Sequence, residues 1–241
     1  MIPLSLGEIA GVTGGRLVDG DPEAVVGGVA VDSRTVRPGE LFVALPGRRT
    51  DGSLFAAAAA EAGAAATLAQ AGTVFAGPRV EVPDPVASLA AVGGAVRDRS
   101  AAAVVAVTGS TGKTTTKDLL AAVLATSLRT VANRASFNNE VGLPLTLTRI
   151  EPDTQAVVVE MGARGPGHIA ALARLARPGV GVVLNVGESH LGMFGSREAI
   201  AKAKGELVEA LPPDGTAVLN ADDPQVAAMA ERTVAGVVRF G

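Results

Sequence analysis

Short apolar runs separated by glycine and proline turns occupy the first third of the chain. Runs of β-branched and apolar residues bounded by such turns are typical of strands. A helix is predicted over 53–62, where an alanine-rich stretch ends at Gly63. The predicted strands are 25–31, 41–45, 66–68 and 80–82. This pattern predicts a small α/β module over residues 1–83.

A second rhythm begins at residue 84, where a helical pattern runs to about residue 99 and is predicted to link two modules. Beyond it, apolar strands alternate with amphipathic helices, which is typical of a mostly parallel sheet with helices on both faces. The predicted strands are 102–107, 155–160, 180–185, 216–219 and 236–240, and the predicted helices are 113–126, one ending at 176, 197–211 and 224–232. We therefore expect a second α/β domain over 84–241, with ligands at the carboxyl ends of its strands.

Composition narrows the class of protein. Hydrophobic residues make up 48% and charged residues 19%, which argues against a disordered or fibrous chain. The absence of cysteine excludes disulfides, thiolate catalysis and cysteine-ligated zinc. A net charge of −3, with six Phe and no Tyr or Trp, argues against a general nucleic-acid binder. The N-terminus lacks the pattern of a signal peptide, and no stretch is apolar enough to insert into a membrane, so we expect a cytoplasmic protein.

A glycine-rich loop follows the first strand of the second domain. In TGSTGKTTT, loop amides and the start of a helix are expected to meet phosphate oxygens, with Lys113 neutralising their charge and Thr114 offering a hydroxyl to Mg²⁺. Val107 stands where the usual phosphate-loop pattern requires glycine, and the alternative is an ordinary strand–loop–helix turn. No Asn-Lys-x-Asp motif is present and Glu160, not aspartate, ends the next strand, so a GTPase is not indicated.

Two further strand ends and a helix carry candidate metal ligands. Glu160 and His190 each follow an apolar strand, and a carboxylate with an imidazole suits Mg²⁺ or Mn²⁺ beside a triphosphate. The alternatives are a loop carboxylate and a structural histidine. The chain has only four lysines, and Lys202 and Lys204 share one helix, either as a solvated face or because an amine is needed there. An amine reacts with CO₂ to form a carbamate, a potential metal ligand, whereas a guanidinium does not readily do so.

Six ordered motifs resemble the Mur ligases, the ATP-dependent amide-forming enzymes of peptidoglycan precursor synthesis. They are VDSRTVRPGELFVALPGRRTDG, TGSTGKTTTKDLL, NNEVGLPLTL, VVVEMGARGPGHIAAL, LNVGESHLGMFGSREAIAKAKGEL and VLNADDP. Together they cover nearly the whole chain and favour the branch that adds a dipeptide over the branches that add one amino acid. The resemblance implies a small N-terminal α/β domain that binds a UDP-sugar, followed by a central phosphate-loop domain.

The resemblance also implies roles for individual residues, given in the numbering of this chain. Lys204, fourteen residues after His190, is the position that is carbamylated in the family. The implied catalytic residues are Lys113, Glu160, His190 and Lys204, and the implied metal ligands are Thr114, Glu160, His190 and Lys204. The implied ATP-binding residues are Gly109, Ser110, Thr111, Gly112, Lys113, Thr114, Thr115, Asn138 and Asn139. The implied UDP-sugar-binding residues are Asp32, Ser33, Arg34, Gly47, Arg48, Asp51 and Gly52.

The implied reaction uses ATP and Mg²⁺, with Mn²⁺ as an alternative, to join D-alanyl-D-alanine to UDP-N-acetylmuramoyl-tripeptide through an acyl phosphate. A monomer is expected. The family has a third, C-terminal domain for the amine substrate, so we expect a chain ending at residue 241 to be a fragment without complete ligase activity. Two alternatives stay open: the Mur ligase that adds the third amino acid, and a non-catalytic module that binds a nucleotide or a UDP-sugar.

Overall fold

The computed structural model describes residues 1–47, 50–73, 75–134, 137–187 and 191–241. The chain forms two compact units, one of Met1–Ser100 with Leu147–Pro152 and one of Ala101–Thr146 with Asp153–Gly241. Within the described residues, no helix is long and apolar enough to span a bilayer.

The first unit is built on a mixed sheet with strand order β2-β7-β6-β5-β4 and a separate antiparallel pair, β1 and β3. Strands β4 to β7 run parallel, and β2 is antiparallel to β7. The strands are β1 (Leu4–Ser5), β2 (Arg16–Val18), β3 (Val25–Val26), β4 (Gly28–Ala30), β5 (Glu40–Val43), β6 (Ala66–Gln70) and β7 (Arg79–Val82). The helices are α1 (Leu6–Thr13), α2 (Ala56–Glu61) and α3 (Pro85–Asp98), with 3₁₀ turns at Ser33–Thr35 and Gly52–Phe55. The predicted strand 25–31 is therefore two strands in two different sheets.

Helix α1 was not predicted, although its start carries a sequence signal. The Ser5 hydroxyl accepts from the Glu8 amide at 3.2 Å, and the Glu8 carboxylate accepts from the Ser5 amide at 2.8 Å. This reciprocal capping box satisfies two amides at the helix start and is readable as Ser-x-x-Glu. The apolar positions of so short a segment do not by themselves indicate a helix, so the cap is the informative feature.

Helix α3 packs against α1 and β6, so it belongs to the first unit and is not a free linker. Its start is strongly defined, because the Asp84 carboxylate accepts from the amides of Val86 and Ala87 and Pro85 occupies the first turn. The two compact units divide after Ser100, whereas the sequence predicted a domain boundary between residues 83 and 84.

The second unit is built on a six-stranded, fully parallel sheet with strand order β13-β12-β11-β8-β10-β9. Helices α4, α8 and α9 pack against it. The strands are β8 (Ala103–Thr108), β9 (Thr130–Ala132), β10 (Ala156–Glu160), β11 (Val180–Val183), β12 (Thr216–Asn220) and β13 (Gly236–Phe240). The helices are α4 (Lys113–Leu124), α5 (Gly142–Leu147, all but its last residue), α6 (His168–Ala176), α7 (Leu191–Phe194), α8 (Arg197–Glu209) and α9 (Pro224–Ala227), which a 3₁₀ turn at Ala228–Arg232 follows. The α/β fold and the parallel sheet confirm the predicted fold class.

Strands β8 and β10 are neighbours in the interior of this sheet; all of β10 and four of the six residues of β8 are buried, as expected when helices cover parallel strands. Their register pairs Glu160 with Val107, and β11 pairs Val183 with Thr108. The carboxyl ends of β10, β8 and β11 therefore lie at the same edge of the sheet. The strands that follow β8 in the sequence lie on both sides of it, and ligands bind at such a point in open α/β sheets.

Candidate functional site

The glycine-rich loop joins β8 to α4. Gly112 caps the helix with a φ of 80°, a left-handed conformation that favours glycine. The Lys113 ammonium folds back over the loop and donates to the carbonyl oxygens of Gly109 at 2.8 Å and Ser110 at 3.2 Å. Half-burial lowers the pKa of Lys113, and the nearby Glu160 carboxylate partly offsets that effect.

The first turn of α4 presents open hydrogen-bond donors. Among the described residues, no acceptor is found for the amides of Lys113, Thr114 and Thr115. The first amides of a helix have no partner inside the helix, and the helix dipole adds partial positive charge there. The start of α4 therefore has the open amides that bind phosphate in other proteins, and the nucleotide-binding roles of residues 109–115 stay predictions.

Glu160 is held beside this loop by two donors. One carboxylate oxygen accepts from the Thr114 hydroxyl at 2.7 Å and the other from the Asn138 side-chain amide at 2.6 Å. The residue is only 1% exposed. A carboxylate and a hydroxyl next to a phosphate site are oxygen ligands of the kind Mg²⁺ uses, because Mg²⁺ is commonly bound by one or two carboxylates and phosphate oxygens. The predicted pair of ligands, Thr114 and Glu160, therefore fits such an ion.

A polar network that the sequence did not indicate lies beneath Glu160. The side chain of Asn133 accepts from the Glu160 amide at 2.9 Å and donates to the Phe137 carbonyl at 3.1 Å. The buried Lys117 ammonium donates to the Asn133 carbonyl at 2.8 Å and pairs with Asp118 at 2.6 Å. Asn133 therefore links the end of β10 to the segment that carries Asn138.

Replacing Asn133 by alanine is expected to lower the free energy of unfolding by about 2–4 kcal/mol, because it leaves the buried Glu160 N–H unsatisfied, removes the bond to the Phe137 carbonyl and opens a small cavity. Urea denaturation followed by circular dichroism measures the change. Thr126→Ala, which removes an exposed hydroxyl bonded to its own helix, is the matched control and should change stability by less than about 1 kcal/mol. An equal effect of the two substitutions would contradict the role assigned to Asn133.

Lys204 lies on α8, which begins at a Ser196 cap. It is 6% exposed, and among the described residues no hydrogen-bond acceptor faces its ammonium. Burial and, secondly, repulsion from Lys113 lower the pKa of Lys204 to about 8. Lys202 on the same helix is exposed. The two lysines that the composition could not distinguish therefore occupy different environments, and only Lys204 suits chemistry that needs a neutral amine.

A cavity of about 400 Å³ lies within the second unit and is lined by both Lys113 and Lys204. Its wall is formed by Gly109, Lys113, Asn138, Asn139, Glu140, Gly162, Ala163, Arg164, His168, Ala171, Leu172 and Lys204. Five of them were predicted site residues. Asn138 contacts Glu160, whereas the Asn139 side chain accepts from the Gly142 amide at 2.9 Å and caps α5.

The far wall of the cavity was missed by the sequence reasoning. The Arg164 amide donates to the His168 ring at 3.3 Å, and the Arg164 guanidinium lies 3.4 Å from the Glu140 carboxylate. Periodicity does not mark Arg164 and Glu140, because the ion pair between them joins segments that are distant in the sequence.

The predicted UDP-sugar residues that the structure describes lie in the first unit, on two 3₁₀ turns that both contact α2 or in the segments that precede those turns. Asp32 accepts from the Arg34 guanidinium at 2.6 Å, and this pairing lowers the pKa of Asp32 to about 2. Asp51 accepts from the Ser53 amide at 2.8 Å, which lowers the pKa of that carboxyl as well. Gly52 packs so closely that its amide bonds to the Leu45 carbonyl. The remaining predicted members, Ser33 and Gly47, lie in the same two segments.

Two predicted site residues, Arg48 and His190, lie outside the described residues. The residues that are described contain no group of three histidine, aspartate or glutamate side chains placed to hold a metal ion. Of the predicted metal ligands, the structure brings Thr114 and Glu160 into contact, and the metal-binding roles of all four residues, including Lys204 and His190, stay predictions.

Comparison with family models relates both units to known proteins. Residues 107–241 match the Mur ligase middle domain, and residues 25–122 match the catalytic domain of the Mur ligase family. The UDP-N-acetylmuramoyl-tripeptide–D-alanyl-D-alanine ligase of Mycobacterium tuberculosis is 47% identical over 99% of this chain and 52% of its own length. The enzyme of the same name from Bacillus subtilis is 40% identical over 93% of this chain and 50% of its own length. The chain spans about half the length of the curated relatives it matches.

Solved structures of MurF proteins are also similar to this chain. MurF from Acinetobacter baumannii superposes with a TM-score of 0.91 at 30% identity, covering 99% of this chain and 53% of that chain. MurF ligase from Thermotoga maritima in complex with ADP superposes with a TM-score of 0.80 at 36% identity, covering 89% of this chain and 50% of that chain.

Proposed function

Because the chain belongs to the Mur ligase family, we propose that it is the nucleotide-binding and substrate-binding part of an ATP-dependent ligase that joins D-alanyl-D-alanine to UDP-N-acetylmuramoyl-tripeptide. The observation that carries the proposal is one cavity lined by the phosphate-loop lysine and the buried Lys204, with Glu160 and Thr114 paired beside that loop. The names of the similar ligases support the choice of the dipeptide as the amine substrate.

The reaction proposed proceeds in two balanced steps. A carboxylate oxygen of the tripeptide attacks the γ-phosphorus of ATP, the bond to the β-phosphate oxygen breaks, and an acyl phosphate and ADP form. The amine of D-alanyl-D-alanine then attacks the acyl carbon, phosphate leaves with the C–O bonding electrons, and the amine loses a proton. No protein nucleophile is required, in agreement with a chain that lacks cysteine.

The residues of the chain have defined tasks in this scheme. Lys113 and the open amides of the first turn of α4 would bind the phosphates and offset the repulsion between two anions. Thr114 and Glu160 are the side chains that would hold Mg²⁺, with Mn²⁺ as the alternative. When bound, the ion stabilises negative charge on the phosphate oxygens. Asn138 holds the Glu160 carboxylate in place at 2.6 Å. The walls of the cavity would keep the carboxylate in line with the γ-phosphate.

Binding measurements separate the candidate functions. Calorimetry with Mg·ADP, UDP-N-acetylmuramoyl-tripeptide and UDP-N-acetylmuramoyl-dipeptide is expected to show binding of the nucleotide and a preference for the tripeptide. A preference for the dipeptide would favour the ligase that adds the third amino acid. Ligation by the protein at its natural length is followed by mass spectrometry of the UDP-sugar product. Binding of the nucleotide and the UDP-sugar without any ligation would favour the non-catalytic module.

Carbamylation of Lys204 is the second part of the proposal. The carbamate forms when the neutral amine attacks CO₂ and releases a proton, so a lowered pKa of Lys204 increases the reactive fraction near neutral pH. With ¹³C-bicarbonate, a carbamate signal is expected in the ¹³C NMR spectrum, stronger at about pH 8.5 than at about pH 6.5 as more of the amine is neutral. Lys204→Arg should remove the signal, and Lys202→Arg, on the same helix, should leave it unchanged. A signal that survives in Lys204→Arg would refute the assignment.

We also propose that the UDP-sugar binds at the 3₁₀ turns Ser33–Thr35 and Gly52–Phe55, which lie among the predicted residues. Arg34 supports this proposal because its side chain is 86% exposed while the Asp32 carboxylate holds its guanidinium in place. The cytoplasmic location and the monomeric state stay predictions, which cell fractionation and light scattering would check.

A further inference from the structure

Asn185, just beyond β11, forms hydrogen bonds to the backbone of the phosphate loop. Its side-chain oxygen accepts from the amides of Ser110 and Thr111, both at 3.0 Å. Its side-chain nitrogen donates to the Thr111 carbonyl at 3.3 Å. Asn185 was not among the predicted site residues, and its place in an otherwise apolar strand end is the one signal that marks it.

Further hydrogen bonds join Ser110, in the first half of the loop, to the backbone of the segment after β11. The Ser110 amide also donates to the Asn185 carbonyl at 3.0 Å. The Ser110 hydroxyl accepts from the Gly187 amide at 2.8 Å and donates to the Gly187 carbonyl at 3.3 Å. Ser110 is 8% exposed, so these bonds are largely shielded from water. The loop is thus divided: residues 110 and 111 are tied to the end of β11, while the amides that begin α4 stay open.

The need for such an anchor follows from the start of the loop. Phosphate loops usually begin with glycine, but here Val107 is buried and paired in β8, which continues to Thr108. The turn from strand to helix must therefore be made over the four residues 109–112. Because an acceptor on β11 satisfies the amides of Ser110 and Thr111, the backbone is fixed where it changes direction.

We propose that Asn185 is a positioning residue for nucleotide binding: it holds Ser110 and Thr111 against β11 so that Lys113 and the open amides of α4 converge on the phosphates. This inference rests on the proposed nucleotide-binding function. Without the side chain, the loop samples more conformations, and binding has to order it at a cost in affinity. The bound phosphates contact other groups, so Asn185 acts through the loop and not on the nucleotide.

The test combines nucleotide affinity with local hydrogen exchange. Asn185→Ala is expected to weaken Mg·ADP binding about tenfold, because three side-chain hydrogen bonds that order the loop backbone are lost. In the nucleotide-free protein, NMR exchange of the Thr111 amide, whose acceptor within the described chain is the Asn185 side chain, should accelerate at least about tenfold. Asn185→Asp retains an acceptor oxygen and should preserve that protection.

Asn220→Ala is the matched control. The Asn220 side chain donates to the Leu184 carbonyl at 2.9 Å, so it supports the same strand end without contacting the loop. It should leave ADP affinity within about twofold of the unsubstituted protein. Equal or tighter ADP binding by Asn185→Ala would overturn the inference, and tighter binding would indicate that the side chain competes with phosphate. Failure of the unsubstituted protein to bind ADP would instead overturn the proposed function. The two failures can be told apart, because exchange of the Thr111 amide is measured without nucleotide and reports on the loop alone.

Discussion

Replacing Lys113 by alanine is expected to weaken Mg·ADP binding by about a hundredfold, since a charge-assisted hydrogen bond to phosphate is among the strongest polar contacts in a protein. In the nucleotide-free structure the ammonium bonds only to loop carbonyls among the described residues, at 2.8 Å and 3.2 Å. Phosphate oxygens would replace these neutral acceptors by charged ones. The hydrogen bonds that the ammonium forms to the phosphates would therefore be stronger than the bonds to loop carbonyls that it loses. Calorimetric titration with ADP at fixed Mg²⁺ measures the loss.

Two further variants separate charge from loop structure. Lys113→Gln is still able to donate to the Gly109 carbonyl but has no charge, and it should bind ADP almost as poorly as the alanine variant. Lys202→Ala removes an exposed ammonium from α8 and should leave the affinity unchanged. If Lys113→Ala retained normal affinity, the assignment of this loop to phosphate binding would be wrong.

Glu160→Gln is expected to remove the Mg²⁺ dependence of ADP binding and to lower ligation by the protein at its natural length by about a hundredfold or more. The substitution keeps the shape of a side chain that is 1% exposed, and an amide still satisfies the Thr114 hydroxyl and the Asn138 amide after reorientation. What it removes is the negative charge that a divalent ion requires. ADP titrations with Mg²⁺ and with EDTA measure the difference directly.

Glu140→Gln is the matched control because Glu140 lines the same cavity and loses the same charge. Its carboxylate is 55% exposed and faces Arg164, so its removal should change the Mg²⁺ dependence by less than about threefold. An unchanged Mg²⁺ dependence in Glu160→Gln, or an equal loss in both variants, would contradict the assignment of Glu160 as the metal ligand.

The sequence predicted the parts of the site that lie on regular elements. The strand before Gly109, the helix that begins at Lys113 and the strand that ends at Glu160 were all readable from apolar periodicity and a local motif. Parallel strands place their carboxyl ends at one edge, so those residues were expected to meet without knowledge of the strand order.

The rest depends on contacts between distant segments, which periodicity does not encode. Asn133, Asn185 and Arg164 each lie in irregular chain beyond or between elements, where apolar periodicity does not show what a polar side chain contacts. Their importance comes from what they contact: the Glu160 amide, the loop amides and the far wall of the cavity. The different environments of Lys202 and Lys204 had the same origin, since helix phase shows which face a residue occupies only once the buried side is known.

The register of the central strands makes the site sensitive to insertions in a way that its loops are not. Glu160 stands opposite Val107, and Val183 opposite Thr108. One residue inserted into β10 would advance the strand by about 3.3 Å and turn every following side chain to the opposite face, so the carboxylate would leave Thr114. An insertion in the turn at residues 212–215, which precedes β12, shifts neither strand. Length variation in this unit is therefore tolerable before β12 and forbidden within β8 and β10.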